Sequence, residues 1–121
     1  MTYTTQQLQA MKDSEINVAL ELKLNKGAEF VGNHYVETGD GIYPNVIKHK
    51  NWPNYRECTD YCNNPSDIMP LAFERGISLI YHADNEIWTS YDLLESWKYR
   101  NSFSDKSPYR AAACIILLMK V

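Results

Sequence analysis

The chain has 121 residues, and we expect residues 1–121 to form a single domain. Its hydrophobic fraction of 45% and charged fraction of 22% are typical of a globular protein and argue against disorder. The net charge of −3 supplies no electrostatic indication of a nucleic-acid polymer as partner, and the longest apolar run is shorter than the roughly 18 residues of a membrane span.

The first helix is predicted over residues 13–24. Apolar residues alternate along this segment as they would in a strand, but the run of strong helix formers from Ala19 to Lys23 favours a helix. Asp13 or Ser14 is the expected cap, and Gly27 is the expected stop.

The pattern becomes that of β-structure between Ala28 and Ile47, with a turn at residues 38–41. The segment from Lys48 to Asn64 is polar and aromatic, and it predicts a long loop with at most one short strand. Long loops of this kind often carry binding or catalytic residues.

A second helix is predicted after Asn64 and Pro65, and it closes at Gly76. The next segments predict a hairpin, with strands over residues 77–82 and 86–91 and a turn at Asp84 and Asn85. The segment from Asp92 to Lys106 gives a weaker signal, and within it residues 93–97 are compatible with either a turn of helix or an edge strand.

The last helix is the clearest, with Ser107 as its cap and Pro108 in its first position. The run from Ala111 to Met119 is apolar on every face, so we expect a sheet to cover one side and a symmetry-related subunit the other. The predicted fold is therefore α+β, a small antiparallel sheet packed with two to three helices, in a homo-oligomer whose subunit interface buries the C-terminal helix.

No motif for catalysis or metal binding stands out. Cys58 and Cys62 are four residues apart, but they lack the second ligand pair of a structural zinc site, so ordinary thiols are the preferred interpretation. A nucleophile elbow and a phosphate-binding glycine loop are absent from the sequence. We expect a protein without enzymatic activity, metal or cofactor.

The two proline-started helices suggest anion binding, because a helix start presents unpaired amides and a partial positive charge. Arg110 follows Ser107 within the first turn and has the planar group that holds a phosphate or stacks on a base. At the other start, Asn64 is a second candidate, although Asp67 opposes an anion there. The alternative is simple capping, with Arg110 on the surface or paired to a carboxylate.

Aromatic residues near these positions are candidate stacking partners for a base. Tyr109 neighbours Arg110, and Arg56 lies in the aromatic loop. Isolated arginines among aromatics, on an acidic chain, suit a small phosphorylated base better than a polymer. The predicted hairpin contributes three further candidates, Tyr81, His82 and Trp88.

Three blocks of sequence resemble small phage proteins of the NinX-like type. They are residues 14–19 (SEINVA), residues 61–71 (YCNNPSDIMPL) followed by Gly76-Ile77-Ser78, and residues 107–113 (SPYRAAA). The blocks span the chain in order and cover 27 of its 121 residues. In pattern and size the chain is also similar to the anti-Thoeris sponges of the Thoeris anti-defence one family.

The resemblance implies an oligomeric, non-catalytic protein in the host cytoplasm that sequesters a cyclised ADP-ribose signal or a cyclic oligonucleotide. It implies ligand contacts from an arginine near the last helix, matched by Arg110, and from one hairpin aromatic, for which Tyr81, His82 and Trp88 compete. Two other functions stay open: a protein-interaction module that inhibits a host protein directly, and a hydrolase that destroys the signal.

Overall fold

The computed structural model describes residues 2–35, 42–95 and 98–119. Within these ranges the chain forms four helices and six strands. The helices are α1 (Thr5–Ala10), α2 (Asp13–Leu24), α3 (Pro65–Glu74) and α4 (Pro108–Leu118). The strands are β1 (Glu29–Tyr35), β2 (Ile42–Lys48), β3 (Arg56–Glu57), β4 (Ile77–His82), β5 (Ile87–Glu95) and β6 (Lys98–Asp105).

The strands form two three-stranded antiparallel sheets, ordered β1-β2-β3 and β4-β5-β6. The predicted α+β class is confirmed. The architecture differs in detail, because the strands divide between two sheets where one was expected, and because a short helix precedes α2.

Helix α2 has the bounds that the sequence predicted, and the strand alternative is wrong. Ile16, Ala19 and Leu20 are buried at helical spacing, so this face decides the conformation. The expected cap is wrong by one residue: Lys12 is the N-cap, and its backbone N–H donates to the Glu15 carboxylate at 2.9 Å. The Asp13 carboxylate is left for a tertiary contact described below.

The hairpin and the segment after it depart from the predicted lengths. The hairpin and its turn at Asp84 and Asn85 are confirmed, but residues 83–86 connect β4 to β5, so the return strand begins at Ile87 and not at Glu86, which has a φ of 52°. Strand β5 continues to Glu95 and pairs with β6, so residues 93–95 are strand and the helix alternative is wrong; they belong to the middle strand of the sheet and not to an edge strand. The predicted turn at residues 38–41 lies outside the described residues.

Helix α4 is covered within one chain. Residues Ala111 to Leu117 are at most 4% exposed, and α2, α3 and the sheet β4-β5-β6 pack around them. The sequence analysis expected a second subunit to cover one side of this apolar helix. That expectation is corrected, because a single copy already covers the helix. The oligomer itself stays a prediction. Among the described residues, no helix has the length and apolar character needed to cross a membrane.

Helices α2, α3 and α4 are parallel to one another. The starts of α2 and α4 are joined by Asp13 and Arg110, and their ends by Lys23, which donates to the carbonyl of Ile116 at 2.6 Å. The start of α3 lies near Asp13, through Asn63, and its end lies near Lys23, through Arg75. Three helix starts therefore gather at one end of the molecule and three helix ends at the other.

Candidate functional site

Arg110 lies at the end of the molecule where the helices start, and its guanidinium is held by its own chain. It donates to the carboxylates of Asp13 at 2.6 Å and Asp105 at 3.1 Å. It also donates to the carbonyl oxygens of Leu8 at 3.0 Å and Met11 at 2.6 Å. Four of the five N–H groups of an arginine are thus used.

This geometry confirms the alternative interpretation, in which Arg110 pairs with carboxylates. Ser107 caps the helix, accepting from the backbone N–H of Arg110 at 3.3 Å, and its own N–H donates to Asp105 at 2.9 Å. Burial acts to lower the pKa of Arg110, but the hydrogen bond to Asp13 and the neighbouring acidic groups outweigh burial, so the pKa is raised. The expected phosphate clamp is therefore disfavoured, because a ligand would have to displace these partners.

The surroundings of the helix starts are acidic. The side chain of Asn17 is buried and donates to Asp60 at 2.9 Å, while Asn63 donates to both oxygens of Asp60 at 3.1 Å. Asp60, Asp13 and Asp105 thus bring three carboxylates to this end. An incoming phosphate would meet this negative charge, so the predicted anion sites at Ser107 and Asn64 are not favoured by the geometry.

The three blocks that carry the resemblance meet at this end. Asn17 in the first block accepts from the backbone N–H of Cys62 in the second at 3.0 Å. The third block joins them through Arg110, whose partner Asp13 directly precedes the first block. These blocks therefore specify a packing centre of the fold.

The hairpin aromatics lie near the same end. Tyr81 and Trp88 are opposite each other on β4 and β5, with ring centroids 5.0 Å apart, and Trp88 is opposite Asp105 on β6. Tyr81 is 47% exposed, so this pair presents a stacking surface. His82 is half-buried beside the hairpin connection, Tyr109 packs against the core, and Asn64 is an exposed N-cap whose side chain makes no cap hydrogen bond.

A cavity of about 210 Å³ lies at the opposite end of α4, whose residues Ile116 and Met119 line it about 9 to 14 Å along the helix axis from Arg110. It is formed where α2, α3 and α4 end. Its lining combines three cationic side chains with an apolar floor: Lys23, Lys26, Arg75, Leu24, Ile116 and Met119. The cavity thus concentrates positive charge on a chain whose net charge is −3.

The three cationic side chains differ in the partners that they already contact. Lys23 donates to the carbonyls of Ile116 and Met119 and so caps α4; burial, followed by the charge of Arg75, lowers its pKa. Arg75 donates to the carbonyl of Leu71 at 3.3 Å and lies 3.6 Å from the exposed Glu74 carboxylate. The Lys26 ammonium is exposed and has no partner among the described residues. Lys26 and Arg75 are therefore the cations available to a ligand.

The aromatic loop adjoins this cavity through Lys26. His49 Nδ1 accepts from the backbone N–H of Asn51 at 3.0 Å, so its Nε2 donates to the carbonyl of Lys26 at 2.8 Å. The His49 and Trp52 ring centroids are 5.4 Å apart, and the Arg56 guanidinium lies 3.9 Å from the Trp52 centroid. Arg56 is thus separate from the other predicted site residues and is connected to the Lys26 backbone through Trp52 and His49.

The thiols are poorly suited to nucleophilic chemistry. Burial, followed by the charge of nearby acidic groups, raises the pKa of both Cys58 and Cys62 to about 12, and burial also raises the pKa of Cys114. All three cysteines are free. In the described part of the chain, no three His, Cys, Asp or Glu side chains are arranged to hold a metal ion.

The sequence analysis missed Lys23, Lys26 and Arg75. A cation near a helix end, followed by glycine, is the ordinary pattern of a helix C-terminus, and Lys26-Gly27 and Arg75-Gly76 follow it. Only the parallel arrangement of the helices brings the three together.

Comparisons with family models, with curated proteins and with solved structures gave no match.

Proposed function

We propose that the chain is a non-catalytic binding protein that captures a small phosphorylated molecule in the cavity lined by Lys26 and Arg75. The observation that carries the proposal is the convergence of cations on one cavity of an otherwise acidic chain. Arginine and lysine form charge-assisted hydrogen bonds with phosphate, and these are roughly twice as strong as neutral ones.

The size of the cavity limits what enters it. Sites for drug-sized ligands usually enclose about 300 to 1,000 Å³, whereas this cavity has about 210 Å³. It therefore takes the phosphate portion of a nucleotide, and the rest lies outside. The adjoining loop contains Trp52 with the Arg56 guanidinium over its ring, and aromatic rings and arginine planes are the groups on which bases stack.

The resemblance of the sequence supports a cyclic nucleotide as the ligand, either a cyclised ADP-ribose isomer or a cyclic oligonucleotide. In this proposal a phage-encoded homo-oligomer acts in the host cytoplasm, without a membrane or a nucleic-acid polymer as partner, and withholds the signal from a defence effector. A sponge has to compete with the receptor for the signal, and nanomolar binding corresponds to about −12 kcal/mol.

Isothermal titration with cyclic ADP-ribose isomers and a panel of cyclic di- and trinucleotides tests this function. We expect saturable binding, and intact ligand after the complex is heated. If none of the nucleotides gave a heat of binding, the proposed ligand class would be contradicted. If the heated complex released a hydrolysed product, the non-catalytic role would be contradicted.

Two substitutions test the site. Lys26→Gln and Arg75→Gln each remove one charged partner of the phosphate, and we expect each to weaken binding about 10- to 100-fold. Lys50→Gln removes an exposed cation outside the cavity lining and is the matched control. If all three variants bound the nucleotide as tightly as the unmodified chain does, the ligand would lie elsewhere.

A second candidate is direct inhibition of a host protein. Phe73 and Phe30 are 73% and 51% exposed, and exposed aromatic residues are enriched at protein interfaces. A nucleotide that stays bound through purification would argue against this function.

A further inference from the structure

Strand β4 has one edge without a partner strand in the described ranges. On its other side β4 pairs with β5 over its whole length, from Ile77 opposite Asp92 to His82 opposite Ile87, with no shift in register. A free strand edge presents a row of unpaired backbone N–H and C=O groups, which is a template for a further strand.

The other three sheet edges carry features that discourage pairing with another chain. Strand β3 has only two residues, Arg56 and Glu57, which are both charged and exposed. Strand β1 shifts register twice around Gly32. The pairing of β6 with β5 is also irregular, and charged residues occur along the β6 sequence, at positions 98, 100 and 105. Short length, charge and bulges are the usual means by which proteins protect sheet edges.

Strand β4 has none of these protections. Its sequence, Ile-Ser-Leu-Ile-Tyr-His, contains no lysine, arginine, carboxylate, proline or glycine. Ile80 is 48% exposed and Tyr81 is 47% exposed. A regular edge without charged side chains and with exposed Ile80 and Tyr81 is a template on which another strand can pair.

We propose that β4 pairs with β4 of a second copy of this chain, antiparallel across a two-fold axis. The pairing joins two β4-β5-β6 sheets into one continuous six-stranded sheet. It places the subunit contact on β4, and not on the already covered α4, and it does not depend on the nucleotide proposal.

Self-complementarity identifies the occupant as a second copy. In a register centred on Ile80, this side chain lies opposite its counterpart, Leu79 lies opposite Tyr81, and Ser78 lies opposite His82. The most exposed apolar residues of the edge then cover each other, and no carboxylate, lysine or arginine of one β4 faces the other.

The molar mass in solution tests the pairing. Sedimentation or light scattering at tens of micromolar should give twice 14.0 kDa for the unmodified chain and 14.0 kDa for Ile80→Lys, which places like charges opposite each other. Phe73→Lys changes a more exposed apolar residue, on α3, and should stay dimeric. An unmodified chain that is monomeric, or an Ile80→Lys variant that stays dimeric with unchanged circular dichroism, would overturn the proposal.

A cysteine cross-link tests the register. Directly opposed residues of an antiparallel pair have Cα atoms about 4.5 to 5.5 Å apart, which a disulfide can bridge. Mild oxidation of Ile80→Cys should therefore produce a covalent dimer on a non-reducing gel, while Phe73→Cys and the unmodified chain should not. A dimeric Ile80→Cys that does not cross-link, or equal cross-linking of Phe73→Cys, would overturn the pairing centred on Ile80.

Discussion

At the residue scale, Arg110 shows how one side chain changes role once its neighbours are known. Its position after a proline-started helix cap indicates an anion site, and that argument treats the arginine as free. In the folded chain its side chain is 13% exposed and is surrounded by Asp13, Asp105 and two backbone carbonyls. Arg110 therefore ties the start of α4 to α1 and α2.

Arg110→Met should destabilise the fold by about 2 to 4 kcal/mol, because it leaves two carboxylates and two carbonyls without their donor. Arg56→Met is the matched control and should cost less than about 1 kcal/mol, since it loses one exposed contact with Trp52. Urea denaturation measures both. If Arg110→Met kept full stability and lost nucleotide binding, the guanidinium would be a ligand clamp after all.

At the element scale, Gly27 determines how α2 connects to β1. It has a φ of 90°, and a Cβ atom there would lie 3.0 Å from His49 Nε2. The same His49 atom donates to the carbonyl of Lys26. The glycine therefore permits both the turn after α2 and the contact that holds the aromatic loop against it.

Gly27→Ala should lower the free energy of unfolding by more than Gly76→Ala does. Gly76 also has a positive φ, of 66°, but a Cβ atom there meets nothing within 4 Å. Gly76→Ala thus costs the backbone strain alone, about 1 to 2 kcal/mol, and Gly27→Ala adds the displacement of His49, about 1 kcal/mol more. Equal losses in denaturant melts would show that the His49 contact contributes nothing.

At the scale of the whole molecule, three thiols and the Tyr61 hydroxyl make the free energy of unfolding depend on pH in the alkaline range. The pKa of Cys58 and of Cys62 is raised to about 12, and the pKa values of Cys114 and Tyr61 are also raised, first by burial in every case. An unfolded thiol loses its proton near pH 9, while the folded thiol keeps it. The folded state therefore binds more protons above pH 9, and its stability falls as pH rises.

We expect a loss of about 1.4 kcal/mol per pH unit above pH 9 for each fully buried thiol. Lys23 acts in the opposite direction, because its lowered pKa makes the unfolded state bind more protons, but it is one group against several. Urea melts from pH 7 to pH 11 measure the slope. A Cys62→Ala, Cys114→Ala double variant should show a shallower slope, and an unchanged slope would contradict the assignment.

Much of the fold follows from local signals in the sequence. The bounds of α2, the start of α4 at Pro108 and the bounds of β4 were predicted from periodicity, capping residues and proline, which act within a few residues. The start of β5 at Ile87 was missed by one residue, because the Asp84-Asn85 turn signal does not specify where the return strand begins.

The sequence by itself therefore determined the α+β class, the bounds of α2 and β4 and the starts of α3 and α4, while the tertiary structure decided the site. Arg110 and Asp13 are 97 positions apart, and Lys23 and Ile116 are 93 positions apart. No local signal specifies such pairs, because they exist only once α2, α3 and α4 have packed in the same direction. That packing brings acidic side chains to the helix starts and Lys23, Lys26 and Arg75 to the helix ends, and so moves the candidate anion site from one end of the molecule to the other.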